Sequence, residues 1–274
     1  MQAFSAWAAP GGTLGAIVQE TTQRVAALRG RRRELERRLA SAPPVLPFAP
    51  ALKGGQVRVI AEVKRRSPSK GDINPGLDPA VQAASYAAGG AAVISVLTEP
   101  EHFGGSTDDL ETVRSTVRIP LLKKDFHIDD VQLLEARTLG ASGVLLIARA
   151  LEPAVLNRLV AVAFALGLEP LVETRSEAEL ERALAAGAHA VGVNCRDLET
   201  LELDPAVPER LLPQVPRGVV AIWESGISTA ADVERAAAAG ADAVLVGSAI
   251  AGASDVRAAV AALTHVSTRP ASRA

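Results

Sequence analysis

From residue 57 onward, short apolar runs alternate with longer, alanine-rich amphipathic ones. Side-chain periods of about two predict strands near 57–64, 91–97, 120–124, 143–147, 168–173, 189–194, 218–224 and 242–247. Periods near 3.6 predict helices near 78–89, 106–116, 130–139, 152–166, 176–187, 205–212, 228–239 and 254–264. Strand–helix alternation implies parallel pairing, and eight such units in about 210 residues suit a closed (β/α)8 barrel ringed by helices. An open doubly wound sheet is the alternative, but no G-x-G-x-x-G follows the first strand. Glycines close several helices (Gly89-Gly90, Gly140, Gly167, Gly187, Gly240), and GAAVISV, GASGVLLI, GAHAVGV and GADAVLV form a loose repeat of that turn.

Upstream, residues 1–12 carry no pattern and read as a flexible N-terminus. Leu14, Ile17, Val18, Val25, Leu28, Leu35 and Leu39 then recur at helical steps, predicting an additional N-terminal helix over 13–40 with Thr13 as its N-cap. Its other face, RGRRRELERR, is broken by Glu34 and Glu36, which favours a solvated face over a nucleic-acid arm. Residues 41–55 are a proline-rich linker, 57–265 the barrel, and 266–274 a flexible tail, so 13–265 reads as a single domain.

Composition narrows the function classes. A net charge of −2 gives no drive toward nucleic acid or membrane. One cysteine, Cys195, excludes an internal disulfide and points to a reducing, cytoplasmic setting. The four histidines show no metal-ligand spacing, so no metal is expected. No apolar run reaches the ~20 residues of a membrane span.

The chemistry is expected at the C-terminal ends of the strands. In VRVIAEVK, Val57, Val59, Ala61 and Val63 make an apolar face, while the opposite face ends in Glu62 and Lys64. Ser-Pro-Ser-Lys-Gly then breaks the strand. Lys123, Lys124 and Asp125 end the third strand. Parity turns Glu173, then Asn194 and Arg196, then Glu224 inward, with Val172, Val193 and Trp223 facing the helices. A set of rim charges left in water is the bland alternative. ESGIST and VGSAI each put a glycine and a serine at the start of a helix, so Gly226, Gly247 and Ser248 are candidates to hold a phosphate. The residues alone thus describe a barrel enzyme for a small phosphorylated substrate, using acids and lysines.

IAEVKRRSPSKGDI, VLTEPEHFGGSTDDL, PLLKKDFHID, GVLLIARAL, LVET, VGVNCRDLETLELD and ESGIS, in order over about residues 13–265, resemble the indole-3-glycerol phosphate synthase family of tryptophan biosynthesis. The resemblance implies a TIM barrel with an extra N-terminal helix, working without a cofactor. Its reaction converts 1-(2-carboxyphenylamino)-1-deoxyribulose 5-phosphate to indole-3-glycerol phosphate, carbon dioxide and water. By position it implies Lys124 as general acid, Lys64 as a substrate contact in the later loss of hydroxyl, and Glu173 as acid/base. Glu62 would support the lysines, Asn194 and Arg196 would orient substrate, and Glu224 and Ser225 would complete the mouth. Ser67 would lie near the substrate's anionic groups, and Phe103 and Phe126 near the anthranilate ring. It also allows association with other tryptophan-pathway enzymes.

Lys123, Ser142 and Trp223 depart from the family's usual residues, and a one-residue shift of the third strand would exchange the roles of Lys123 and Lys124. Cys195 lies between two candidate site residues, but parity turns it outward, as a small core residue. Two other function classes compete. Phosphoribosylanthranilate isomerase would need a cysteine/aspartate pair where the first strand carries Glu62 and Lys64. A non-catalytic ligand-binding barrel would predict erosion of the lysines or Glu173.

Overall fold

A computed structural model describes residues 7–269 and Arg273. The eight predicted strands form as β1 (Arg58–Val63), β2 (Val93–Leu97), β3 (Leu121–Lys124), β4 (Gly143–Ile147), β5 (Glu169–Thr174), β6 (Ala190–Asn194), β7 (Val220–Glu224) and β8 (Ala243–Val246). They pair in parallel, in chain order, and β8 closes on β1 through Arg58 opposite Ala243 and Ala61 opposite Val246. The fold is a TIM barrel.

The period-two pattern separates two apolar layers. Val59, Ala61, Val63, Val172, Val193 and Trp223 pack outward with the helices, while Ile60, Leu122, Leu171, Val220 and Ile222 fill the barrel. The recurring glycine phrase has a physical cause. Gly90, Gly140, Gly167, Gly187 and Gly240 all adopt positive φ. The residue after each donates its N–H to a carbonyl five residues back, for example Ala91 to Tyr86 and Ala241 to Ala236, closing the same helix-ending turn five times.

The N-terminal region differs from expectation in three ways. Helix α1 (Gly12–Gly30) starts one residue before Thr13, on Gly11, with no side-chain cap. Gly12 has φ +53, and a Cβ there would overlap the Glu199 carbonyl, so close approach to the loop after β6 sets the helix start rather than a capping hydroxyl. The helix breaks at Arg31 before α2 (Arg32–Leu39) resumes. The break lets Val25 and Leu35 both reach Val131 and Leu134 of the helix after β3, while Leu14 and Ile17 join the cluster that fills the barrel. The proline-rich linker also contains a short helix, α3 (Phe48–Ala51), whose Phe48, followed by Leu52, plugs the opposite end of the barrel.

The terminal segments are tied down where they are described; residues 1–6, 270–272 and 274 of the two terminal segments lie outside the described residues. Trp7 Nε1 donates to the Arg149 carbonyl at 3.2 Å, and Arg149 donates to Ala8 O at 2.6 Å. Val57 N–H donates to Val266 O at 2.8 Å, and Arg273 pairs with Asp242 at 2.9 Å.

Near the plugged end, Glu169 is a carboxyl without use in the site described below. Burial pushes it up to about 7 against the opposing charge of Lys53, and His189 Nδ1 lies 3.6 Å away. A folded-state value above the unfolded one means that protonation favours the fold. That contribution is whole below about pH 4.5 and is lost as pH rises through 7. Glu169→Gln is therefore expected to be more stable than the parent at pH 8 by about 1–2 kcal/mol, after discounting for partial exposure. The gap should vanish near pH 4.5. Urea melts at the two pH values check this, and equal stability at pH 8 would refute it.

Candidate active site

The ends of β1, β3, β5 and β7 bring Glu62, Lys124, Glu173 and Glu224 together inside the barrel mouth. Lys124 Nζ lies 3.8 Å from Glu62 Oε2, 4.0 Å from Glu173 Oε2 and 3.7 Å from Glu224 Oε2. Lys64 Nζ bonds Glu62 Oε1 at 3.0 Å. The three carboxylates are at most 3% exposed.

The charges settle one another. Burial alone would discharge Lys124, but Glu62, Glu224 and Glu173 around it reverse the sign and hold its ammonium well above the usual lysine value. Burial also pushes Glu62 up, and Lys64 and Lys124 together overcome it, so Glu62 is held ionised below its ordinary value. Glu224 goes the other way: burial and then the negative charge of Glu173 raise it far above the carboxylate range, toward the protonated acid. Neither Glu224 oxygen makes a close hydrogen bond with the described residues. The mouth thus holds a charged lysine between carboxyl groups pushed in opposite directions, Glu62 toward the ionised form and Glu224 toward the protonated one.

Two glycines make this crowding possible. A Cβ on Gly192, an inward residue of β6, would overlap Glu224 Oε1, and one on Gly247 would come within 2.5 Å of Glu62 Oε1. Gly192→Ala should keep the fold, since the neighbour is a side chain, but swing Glu224 away from Lys124. Turnover is expected to fall about 10–100-fold, less than the roughly 10²–10³-fold of removing a preorganised contact outright, because Glu224 is displaced rather than lost. Steady-state kinetics beside a thermal melt check it, and an unimpaired variant would show that the position of Glu224 is unimportant.

Lys123 does not share the site. It points outward, 1% exposed, and pairs with Asp125 at 3.4 Å and Glu135 at 3.3 Å. Asp125, although buried, is held ionised by Lys123 and Arg24. It ties β3 to α1 through Arg24 at 3.2 Å and to Thr98 at 2.7 Å. Parity therefore assigns the inward position to Lys124. Trp223 is fully buried against the helices with its Nε1 donating to Ser225 O at 3.0 Å, and burial pushes the Cys195 thiol up, as befits a packed side chain.

The candidate residues line two adjoining clefts. One holds Lys64, Ser67, Phe103, Lys124, Phe126, Glu173, Asn194, Arg196 and Ser225. The Phe103 and Phe126 rings lie 6.2 Å apart, and Lys64 Nζ lies 5.6 Å from the Phe103 centroid. The second cleft shares Lys64, Lys124, Arg196 and Ser225 and adds Glu62, Glu224, Gly226, Gly247 and Ser248. Ser225 (φ +67) and Gly226 (φ +77) turn the chain sharply after β7. Arg196 is anchored rather than free, its Nη1 donating to Leu201 O at 2.6 Å while Asn194 Oδ1 accepts from its N–H at 2.9 Å.

Sequence reasoning missed Leu14 and Ile17, which bring α1 into the first cleft, and Lys70, which borders the second. The lysine was visible in the S-P-S-K-G turn. The two apolar residues looked like any helix stripe.

A closed parallel barrel with acids and lysines gathered where its strands end defines a TIM-barrel enzyme. The family model for indole-3-glycerol phosphate synthase matches residues 14–263. The chain belongs to the indole-3-glycerol phosphate synthase family. It is 50% identical over 240 residues to indole-3-glycerol phosphate synthase 1 of Streptomyces coelicolor, covering 88% of this chain and 89% of that protein. It is 48% identical over 237 residues to indole-3-glycerol phosphate synthase of Mycolicibacterium smegmatis, covering 86% and 87%. Among solved structures, 3-hexulose-6-phosphate synthase from Salmonella typhimurium aligns with a TM-score of 0.61 at 16% identity over 76% of this chain and 96% of that one. Thiamine phosphate pyrophosphorylase from Pyrococcus furiosus aligns with a TM-score of 0.58 at 19% identity over 76% and 93%. At that identity the likeness shows the shared fold alone. No helix among the described residues is long and apolar enough to cross a membrane.

Proposed function

We propose that this barrel closes the indole ring of 1-(2-carboxyphenylamino)-1-deoxyribulose 5-phosphate, releasing carbon dioxide and water to give indole-3-glycerol phosphate. The observation that carries this is Lys124 held charged among three strand-end carboxylates, in a chain whose family match spans 14–263. The substrate brings a phosphate and a carboxylate, which Lys64, Lys124 and Arg196 attract. Two unit charges 4 Å apart interact by about 4 kcal/mol at an effective dielectric near 20.

The phosphate sits against Gly226, Gly247 and Ser248 with Ser225 alongside, and the aromatic ring lies by Phe103 and Phe126, with Ser67 toward the anionic groups. In that pose the ring carbon bearing the carboxylate faces the ketone carbon, and much of the acceleration comes from holding this geometry. As the carbon–carbon bond forms, the ketone oxygen gains negative charge, and Lys124 donates its proton there. Its raised affinity for the proton is no obstacle, because the developing alkoxide is a stronger base. Loss of carbon dioxide restores the aromatic ring. Lys64, steadied by Glu62, assists departure of the hydroxyl as water, and Glu173 moves the accompanying proton. Asn194 and Arg196 orient the substrate, and Glu224, beside Lys124 at 3.7 Å, completes the mouth. A cytoplasmic location and docking by other enzymes of tryptophan biosynthesis belong to the same proposal.

Purified protein incubated with the carboxyphenylamino-deoxyribulose phosphate should generate indole fluorescence and carbon dioxide in equal amounts. Tight binding with neither product would instead mark a ligand-binding barrel.

A further inference from the structure

Behind β1, on the helix side, lies a buried polar chain that the proposed chemistry does not use. Tyr86, on the helix Pro79–Ala88, is fully buried, and its hydroxyl donates to the main-chain carbonyl of Glu62 at 3.0 Å. Gln82, one turn earlier and 6% exposed, donates from Nε2 to the Tyr86 oxygen at 2.8 Å and reaches Ala251 O at 3.5 Å. Asn74 Nδ2 donates to the same Ala251 carbonyl at 3.1 Å. Ala251 ends the single helical turn Ser248–Ala251 that follows Gly247. A continuous set of hydrogen bonds therefore runs from the main chain of Glu62 to the turn after β8.

Packing does not explain this set. A phenylalanine would fill the same volume, and a buried hydroxyl costs free energy unless it is bonded. The acceptor is the carbonyl of Glu62, whose carboxylate alone among the described residues meets both lysines, at 3.0 Å for Lys64 and 3.8 Å for Lys124. Gly247, at the other end of the set, is the residue whose missing side chain leaves room for that carboxylate. Glu62 is thus held from two sides, its main chain by Tyr86 and its carboxylate by the lysines beside Gly247.

We infer that Tyr86 and Gln82 are positioning residues that lock the strand end bearing Glu62 to the Gly247–Ala251 turn, and so fix Glu62 between Lys64 and Lys124. The inference rests on the proposed role of Glu62. With the hydroxyl gone, the strand end relaxes, Glu62 drifts from the lysines, and its carboxylate becomes easier to protonate.

The test compares Tyr86→Phe, Gln82→Met, the double variant and Glu62→Gln by kcat, KM, the pH profile of kcat and thermal melting. Tyr86→Phe and Gln82→Met should each lower kcat five- to tenfold with KM within twofold, and should move the acid limb of the profile to higher pH. The double variant should be no worse than the more impaired single one, because the two side chains act as one chain of bonds. A normal kcat and pH profile in Tyr86→Phe, whatever its melting temperature, overturns the inference while an impaired Glu62→Gln leaves the site intact. A fully active Glu62→Gln would remove the role of Glu62 itself. If Tyr86→Phe does not fold, Gln82→Met decides alone by the same readouts.

Discussion

Lys124→Ala is expected to lower turnover by about 10³-fold or more while the barrel stays folded. The ammonium contributes twice in the proposed reaction, as proton donor to the ketone oxygen and as the charge facing the developing alkoxide. General acid catalysis is worth roughly 10²–10⁴-fold, and a preorganised charge contact about 10²–10³-fold, so losing both in one group leaves little. A loss of 10³ corresponds to about 4 kcal/mol of transition-state stabilisation. Removing one member of a buried ionised set normally costs the fold heavily. Here Glu224 is already displaced toward its neutral form, and Glu62 keeps Lys64 at 3.0 Å, so the carboxylate left without its cation is that of Glu173. Phosphate affinity should fall far less than turnover, because Gly226, Gly247 and Ser248 lie on other turns and Lys64 and Arg196 remain in the same cleft. Kinetics, inhibition by inorganic phosphate and circular dichroism together check this. A near-normal rate would transfer the acid role to Lys64, since Lys123 is bound outside the barrel to Asp125 and Glu135.

Deleting residues 1–40 should damage both stability and substrate binding. The deletion removes Leu14, Ile17, Val25 and Leu35, each no more than 3% exposed. At about 1.5–3 kcal/mol per buried side chain the loss reaches roughly 6–12 kcal/mol as an upper bound, comparable to the ~5–15 kcal/mol that holds a typical domain. It also strips Arg24 from Asp125, on the strand end next to Lys124, and removes two walls of the cleft that contains Phe103 and Phe126. We expect the melting temperature to fall sharply, and KM to rise by about tenfold or more in whatever protein remains folded, the scale of losing ~1.4 kcal/mol or more of ground-state binding. A truncated chain with unchanged melting and KM would show that α1 only decorates the barrel.

Much of the barrel was legible because its strands are short and its period is strict. One inward residue in two is enough to identify Glu173, Asn194 and Glu224 without coordinates, whereas only the register of the third strand in the structure turns Lys124 inward and Lys123 outward. Repeated glycines marked the helix ends because only the left-handed turn they permit joins these helices to the next strand. What stayed hidden depends on contacts between segments far apart in the chain. Phe48 and Leu52 lie in a proline-rich stretch too short to show a period, yet they plug the barrel. The break at Arg31 carries no proline, and only the need to place Val25 and Leu35 against the same helix reveals it. Thr13 has the chemistry of a cap, but the closeness of Glu199 to Gly12 moved the helix start. The link from Tyr86 to Glu62 joins a helix interior to a main-chain carbonyl, which no side-chain pattern encodes.

A crystal structure with a bound, non-reacting analogue of the substrate, its ketone reduced to an alcohol, bears most directly on the convergence of these groups over one sugar phosphate. The analogue's phosphate should lie on the Gly226 and Gly247–Ser248 turns, its aromatic ring by Phe103 and Phe126, and its alcohol oxygen within about 3 Å of Lys124 Nζ. A phosphate bound elsewhere, or an alcohol out of reach of Lys124, would contradict the account.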